Sequence, residues 1–322
     1  MAILKPVRIT TTTPIEELRG LKTPVRIFLK RDDLNGLLIS GNKARKLEYL
    51  IADMKRKKCD TIITCGPVQS NHCRTTAVFA QQCGFECHLL LRVRKKPCKI
   101  YTGNLLLDIL LGAKITYITP EQYQRRLAVM AQYARILRKK GRKPYSIPEG
   151  GSNEIGSLGY LDCMREMADF IKRQRIDAVY CAVGSGGTYA GLLLGKKLCR
   201  LAVHLHGIII CDTVEYFEEK ISKICTDAIH TFNFPINVAR KDIHLVDGYV
   251  GDGYGIPYPE ALKTIKCVAK LGIILEPVYT GKAFYGMLNH VKENRYKKVI
   301  FIHTGGIFSI FAFNKVITDT LR

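Results

Sequence analysis

The stretch AVYCAVGSGGTYAGL, residues 178–192, runs from six residues suited to a buried strand into a glycine-rich turn and then into a helix-forming segment. An apolar run without polar alternation, closed by glycine, reads as a strand covered on both faces, as in a parallel sheet. The same grammar repeats on either side of it. Strands are expected at 61–65, 87–92, 114–119, 178–183, 205–211, 273–278 and 298–303. Between them lie helical patterns such as Leu47, Leu50, Ile51 and Met54, whose i, i+3, i+4, i+7 spacing makes one apolar stripe. This alternation indicates an α/β protein with mostly parallel sheets. There are too many units for one comfortable sheet, and there is no internal repeat or low-complexity linker. The expectation is two interleaved open twisted α/β lobes.

A chain of 322 residues, 47% hydrophobic and 24% charged, is long enough to bury a large core. No uninterrupted apolar run reaches membrane-spanning length, and the start MAILKPVRITTTTPIEELRG lacks the apolar region of a secretory signal, so a cytoplasmic protein is expected. The 12 cysteines are scattered singly, with no CxxC pair and only Cys83 and Cys87 in helical proximity. They read as reduced, buried small hydrophobes, the alternative being an accidental thiol-metal site. Neither this pattern nor the alternating pair His204 and His206 has metal-site spacing, so no metal is expected.

Lys and Arg number 50 against 28 Asp and Glu, a formal charge of +22 concentrated in KRKK (55–58), RVRKKPCK (92–99) and RKKGRK (138–143). Such clusters attract nucleic acid, anionic surfaces or anionic small molecules. No aromatic-interleaved RNA motif, zinc-finger spacing or helix-turn-helix signature accompanies them, so they read as solvated faces of an enzyme. The competing class is a basic protein that holds nucleic acid.

In α/β sheets ligands bind beyond the carboxyl ends of strands, so the loops there are where chemistry is sought. Four stand out: GPVQSNHCR (66–74), GSGGTYAGL (184–192), EPVYTGKAF (276–284) and HTGG (303–306). In GSGGT, glycines let successive backbone N–H groups converge on an anion while Ser185 and Thr188 add hydroxyls. The loop is not a Walker motif, and Tyr189 occupies the third glycine position of GxGxxG, which disfavours a nicotinamide dinucleotide. A tight turn needing glycine only for its backbone is the plainer alternative. Lys43, in LISGNKARKLEYL (38–50), sits where a loop turns into a helix, a place the helix dipole disfavours for a cation. Such a position lowers a lysine's pKa and exposes a nucleophilic amine, and beside a phosphate cradle it fits a Schiff-base lysine holding pyridoxal phosphate. Ser70 and Asn71 read equally as helix caps, and His72 as a hydrogen-bonded residue at a helix start. GPVQSN is not GxSxG, so a hydrolase elbow is not supported.

From about Thr23 onward, KRDDL (30–34), GNKARKLEYL, QSNH, KPYSIPEGGSN, GSGGTYAGL, GYGIP, EPVYTGKAF and FIHTGG together resemble the pyridoxal-phosphate enzymes of the tryptophan-synthase-β type, specifically the branch with D-cysteine desulfhydrase and 1-aminocyclopropane-1-carboxylate deaminase. The resemblance implies fold type II, a homodimer, a larger cofactor-binding domain of 1–45 plus 160–322, and a smaller α/β domain of 46–159 carrying the Ser70 loop. It implies Lys43 as the Schiff-base lysine and Ser70 as a proton-handling hydroxyl facing the substrate. Asn71 would bond the cofactor's phenolic oxygen, Gly184, Ser185, Gly186, Gly187 and Thr188 would hold its phosphate, and Thr304 would pair with its ring nitrogen. Tyr254 and Tyr279 resemble the family's two active-site tyrosines, and Ser70, Asn71, His72 and both tyrosines would meet the substrate.

The family's deaminases carry glutamate after the second tyrosine, and a carboxylate near the ring nitrogen favours its protonated form and a stronger electron sink. Here that position is Thr280. A hydroxyl partner leaves a weaker sink, sufficient to remove an α-proton and expel a good leaving group from Cβ. The expected reaction is therefore β-elimination from D-cysteine to pyruvate, hydrogen sulfide and ammonia. The alternatives are the deaminase, or elimination from D-serine, L-cysteine or cysteate. Two positions depart from the family: Pro67 replaces the usual glycine or alanine before VQSN, and Ser40 replaces the first glycine of GGNK.

Overall fold

The computed structural model describes residues 4–93 and 101–321. Two sheets organise them. One has six strands in the order β1 (Ile15–Glu17), β2 (Arg26–Lys30), β10 (Lys298–Ile302), β7 (Ala178–Val183), β8 (His204–Ile209), β9 (Leu245–Val246). Only β1, antiparallel to β2, breaks the parallel arrangement. The other is fully parallel, in the order β5 (Lys114–Ile118), β4 (Glu86–Arg92), β3 (Thr61–Pro67), β6 (Pro144–Ser146). All six residues of β7 are buried, which is why its sequence shows no polar alternation.

Six of the seven expected strands are present, with ends moved by at most two residues. Residues 273–278 are the exception: they form no strand, although Ile273 and Leu275 are buried. Their backbone groups find side chains instead of a ladder. Ile274 O accepts from the His303 ring, Glu276 N donates to Thr280 Oγ1, and Val278 N donates to Glu276 Oε2. Pro277, which has no N–H, also works against a central strand.

The helix Asn42–Arg56 buries Leu47, Leu50, Ile51 and Met54 and packs on the helix Glu154–Gln174. At their crossing Gly159 allows near contact of the two backbones, since a Cβ there would stand 2.3 Å from Arg45 O. A buried ion network fixes this crossing. Arg45 donates twice to Asp32, at 2.9 Å and 2.9 Å, and twice to Glu166, at 2.8 Å and 2.9 Å; Tyr160 Oη donates to Asp32 Oδ2 at 2.6 Å.

The basic runs 55–58 and 138–143 meet at the amino end of the four-stranded sheet, where Asp60 N donates to Lys143 O at 3.1 Å. Of the third run, residues 94–99 lie outside the described residues. Among the described residues no helix is long and apolar enough to cross a membrane, and the described cysteines are free thiols.

Candidate active site

The carboxyl ends of β3, β7 and β10 open on one cavity of about 490 Å³. It gathers Lys43, Ser70, Asn71, His72, Gly184, Ser185, Gly186, Thr188, Tyr254, Tyr279 and Thr304. Gly187 lies just behind this wall, donating its N–H to Ser152 Oγ at 3.3 Å.

Lys43 is delivered by its neighbours. Gly41 has φ of 107°, and a Cβ there would meet Thr304 O at 2.4 Å, so only glycine fits this turn. Asn35 brackets the turn, accepting from Gly41 N at 3.1 Å and donating to Gly41 O at 3.0 Å, while Asn42 N donates to Thr304 O at 3.1 Å. Lys43 is thereby presented in the first turn of Asn42–Arg56. Its amine donates to Asn42 Oδ1 at 3.0 Å and stands 5.9 Å from the centre of the Tyr279 ring. Burial lowers its pKa to about 8, aided by the Arg74 charge and opposed by Glu149 and Glu276. A lysine so placed carries a usable fraction of neutral amine near neutral pH.

The glycine loop follows β7 and opens the helix Gly187–Leu198. Two of its glycines, Gly184 and Gly187, are close-packed rather than merely flexible. A Cβ on Gly184 would meet the Tyr279 ring at 2.9 Å, and one on Gly187 would meet Ser152 Oγ at 2.6 Å. Hydroxyls line the cradle: Ser185 Oγ bonds Ser152 Oγ at 2.8 Å, and Thr188 Oγ1 accepts from Asn42 Nδ2 at 3.0 Å. Behind them Lys46, fully buried, donates to Ser152 Oγ at 3.1 Å and to Gly150 O at 3.2 Å. Burial and the nearby Lys43 charge hold its pKa well below that of an ordinary lysine. A helix start, glycine N–H groups, hydroxyls and a buried amine form a donor set that suits a phosphate dianion.

Ser70 caps the helix Asn71–Cys83, its Oγ accepting from Cys73 N at 3.1 Å. Asn71 Oδ1 accepts from Asn104 Nδ2 at 2.9 Å. His72 is buried, with Nε2 bonded to Thr64 Oγ1 at 2.8 Å and Nδ1 unpartnered among the described residues. Burial, then the charges of Lys43 and Lys46, push its pKa well down, so the ring is neutral. Thr280 is fully buried, and its hydroxyl accepts from Glu276 N within its own turn. His204 and His206 lie at the opposite end of β8, where His206 bonds Tyr296 Oη at 2.9 Å.

Three further features carry little signal in the sequence. Lys46 reads as one more helix lysine until folding buries it. Glu276 sits beside Gly306, buried, its oxygens accepting from Val278 N at 2.8 Å, Tyr279 N at 2.5 Å and Thr280 N at 2.8 Å. Burial lifts its pKa to about 7, opposed by those bonds. Finally, Glu149 of the PEGG segment accepts from Tyr123 Oη and pairs with Arg126 at 3.0 Å, while Arg92 stands 4.7 Å over the Tyr123 ring.

A parallel α/β scaffold with a half-buried, low-pKa lysine sharing one cavity with a glycine-rich cradle of donors suits an enzyme built around a phosphorylated carbonyl cofactor, and the residues present fit that group. The chain belongs to the pyridoxal-phosphate dependent enzyme family, whose pattern matches residues 8–305. It is 37% identical over 315 residues to the bifunctional D-cysteine desulfhydrase/1-aminocyclopropane-1-carboxylate deaminase, mitochondrial, of Arabidopsis thaliana, covering 93% of this chain and 77% of that one. It is 36% identical over 315 residues to the D-cysteine desulfhydrase of Klebsiella pneumoniae, covering 94% of each. A crystal structure of an ACC deaminase homologue superposes with a TM-score of 0.90 at 35% identity, covering 98% of this chain and 96% of that one.

Proposed function

We propose that the protein is a lyase that eliminates the β-substituent of a small amino acid, with D-cysteine as substrate and pyruvate, hydrogen sulfide and ammonia as products. The observation that carries this reading is the low-pKa Lys43 amine standing 5.9 Å from the ring of Tyr279, itself hydrogen-bonded to Tyr254. That arrangement offers a base and a proton donor around one substrate. The names of the Klebsiella and Arabidopsis relatives support the choice of D-cysteine.

In this reading Gly184, Ser185, Gly186, Gly187 and Thr188, with Lys46, hold the cofactor phosphate, Asn71 its phenolic oxygen and Thr304 its ring nitrogen. When bound, pyridoxal phosphate supplies a sink for the electron pair left at the substrate's Cα. Ser70 and the backbone at Asn71 and His72 bind the substrate carboxylate at a helix start. Lys43 takes the α-proton, and the Tyr254–Tyr279 pair delivers a proton to the departing sulfur. The Cα–H pair becomes the Cα=Cβ bond, sulfur leaves with the Cβ–S pair, and the released enamine hydrolyses in water to pyruvate and ammonia.

A second reading, 1-aminocyclopropane-1-carboxylate deaminase, draws on the Arabidopsis name and on the buried Glu276 carboxylate. Against it, both Glu276 oxygens are engaged by backbone N–H groups, and Thr280 stands where the deaminases carry glutamate. We further propose a homodimer working in the cytoplasm, the smaller domain at 46–159 carrying the Ser70 loop, and basic clusters that serve as solvated faces without nucleic acid.

The test is product release by the purified, cofactor-loaded protein. Sulfide and pyruvate in equal amounts from D-cysteine, lost in Lys43→Ala, is the expected result. Release of 2-oxobutanoate from 1-aminocyclopropane-1-carboxylate, with no sulfide from either cysteine enantiomer, selects the second reading.

A further inference from the structure

Four lysines and arginines line the cavity: Lys43, Arg92, Arg126 and Lys220. Three of them have acceptors. Lys43 donates to Asn42 Oδ1, Arg126 pairs with Glu149, and Lys220 donates to Tyr216 Oη at 3.1 Å. The Arg92 side chain alone has no hydrogen-bond or ion-pair partner among the described residues.

Its position is nevertheless fixed. Arg92 ends β4 in register with Pro67, beside the turn that leads to Ser70. Its guanidinium carbon stands 4.7 Å over the Tyr123 ring and 5.7 Å from the Tyr254 ring. Stacking of this kind engages the faces of a guanidinium and leaves its in-plane N–H groups unused. Glu149, the carboxylate bonded to the tyrosine on which Arg92 stacks, is already occupied by Tyr123 and Arg126. A half-buried cation with a fork of free donors, held against the tyrosine that bonds Tyr279, has the chemistry to receive an anion in the cavity.

Resting on the lyase reading, the substrate's α-carboxylate is held at the Ser70 helix start, and its β-substituent extends toward Tyr254 and therefore toward Arg92. We propose that Arg92 receives a negative charge on that substituent. The substrate class is then a β-substituted alanine whose substituent is already anionic when bound, a thiolate or a sulfonate, rather than a neutral hydroxyl or chloro group. For a sulfonate the balance is cysteate plus water giving pyruvate, ammonium and hydrogen sulfite: the Cα–H and Cβ–S bonds break, and sulfur leaves with the bonding pair. Arg92 acts here as a specificity-determining residue, since it neither takes nor gives the transferred proton.

The experiment compares wild type, Arg92→Met, which keeps the apolar reach over Tyr123, and Arg92→Lys, which keeps the charge, all cofactor-loaded. Calorimetric binding of two unreactive acids, 3-sulfopropanoate and butanoate, reads the charge recognition without turnover. Wild type is expected to prefer the sulfonate, and Arg92→Met to lower that preference roughly 10- to 100-fold, the range for losing a charged hydrogen bond. Arg92→Lys is expected to recover part of it. In kinetics, the ratio of kcat/KM for cysteine or cysteate to that for 3-chloroalanine falls correspondingly in Arg92→Met, chiefly through KM, and comparing the two sulfur substrates separates thiolate from sulfonate. Equal binding of the two acids by wild type, or an unchanged ratio in Arg92→Met, overturns the proposal. Pyruvate from 3-chloroalanine with no preference for charged substituents leaves the lyase reading standing without it. No pyruvate from any substrate sinks the lyase reading, and the acid-binding comparison still decides the role of Arg92.

Discussion

The hydroxyl oxygens of Tyr254 and Tyr279 stand 2.5 Å apart, with their rings inclined at 70° and centroids 5.9 Å apart. Burial raises the pKa of both, and for Tyr279 the neighbouring Tyr254 raises it further. At neutral pH both are therefore protonated, and one donates to the other. A pair that works as one proton-holding unit makes non-additive losses. Tyr279→Phe and Tyr254→Phe are each expected to lower kcat for D-cysteine roughly 100-fold, within the range for removing a general acid. The double variant is expected to lose no more than a few-fold beyond either. Losses that multiply in kcat would show two independent roles.

Glu276 links a pH effect to the placement of Tyr279, because its Oε1 accepts from the backbone N–H of both Tyr279 and Thr280. Burial puts its folded pKa at about 7, above the ordinary 4.5. The sign follows: between those values the folded state binds more protons than the unfolded state, so stability falls as pH rises through that window. Wild type should therefore lose Tm relative to Glu276→Gln from pH 5 to pH 8. Activity should move the other way, rising through about pH 7 as the ionised carboxylate tightens the N–H bonds at Tyr279. In Glu276→Gln that limb should flatten, with kcat lower by about tenfold for one lost charged hydrogen bond. A wild-type limb retained unchanged in the variant would assign it to another group.

Lys43 makes the opposite stability prediction. Its pKa of about 8 lies below the ordinary 10.5, so from 8 to 10.5 the unfolded state binds more protons and stability rises with pH. At pH 7 the partly desolvated ammonium is a net cost. Cofactor-free Lys43→Met should be more stable than cofactor-free wild type at pH 7, by about 1–3 kcal/mol once solvent screening at this half-buried position is allowed for. The advantage should shrink toward pH 10. Denaturant unfolding at pH 7 and pH 9.5 measures both, and a destabilised variant at pH 7 would show that the lysine's packing outweighs its charge.

These residues differ in how far sequence could reveal them. Lys43 and the glycine loop are legible because their chemistry is local: a cation where a helix dipole disfavours it, and glycines where N–H groups must converge. The strands of the two sheets are legible where burial on both faces removes polar alternation, as in β7. Residues 273–278 mislead for the same reason, since apolar content predicts burial but not which partners take the backbone groups. Lys46, Glu149 and Arg92 acquire meaning only from distance. Lys46 is buried against the Gly150–Ser152 turn more than a hundred positions away, and Arg92 matters because Tyr123 and Glu149 satisfy each other and leave it free.

Asp32 lies in KRDDL, a segment that resembles the family without an evident chemical task. In the fold it anchors the helix that carries Lys43: its carboxylate accepts from Arg45, Tyr160 and Thr13, and its backbone oxygen accepts from Gly41 N at 3.0 Å. Burial opposes its ionisation, yet the Arg45 charge and these bonds hold its pKa below the ordinary 3.8. Its stabilising contribution is therefore complete above about pH 4 and lost only as pH falls through the lower folded value. Asp32→Asn removes the charge, turns an amide donor toward the Arg45 donors, and leaves Arg45 buried with Glu166 as its remaining acid. Breaking one arm of a buried ion network costs about 3 kcal/mol, or roughly 4–5 °C in Tm for a chain of this size. The deficit should be constant from pH 5 to pH 8 and shrink below pH 4. Because the side-chain bonds that fix Asp32, and with it the backbone oxygen that accepts from Gly41 N, are weakened, the pKa of Lys43 should shift, read as a displaced pH midpoint for cofactor uptake. A variant with wild-type Tm and an unmoved midpoint would show that the network neither stabilises the crossing nor positions the lysine.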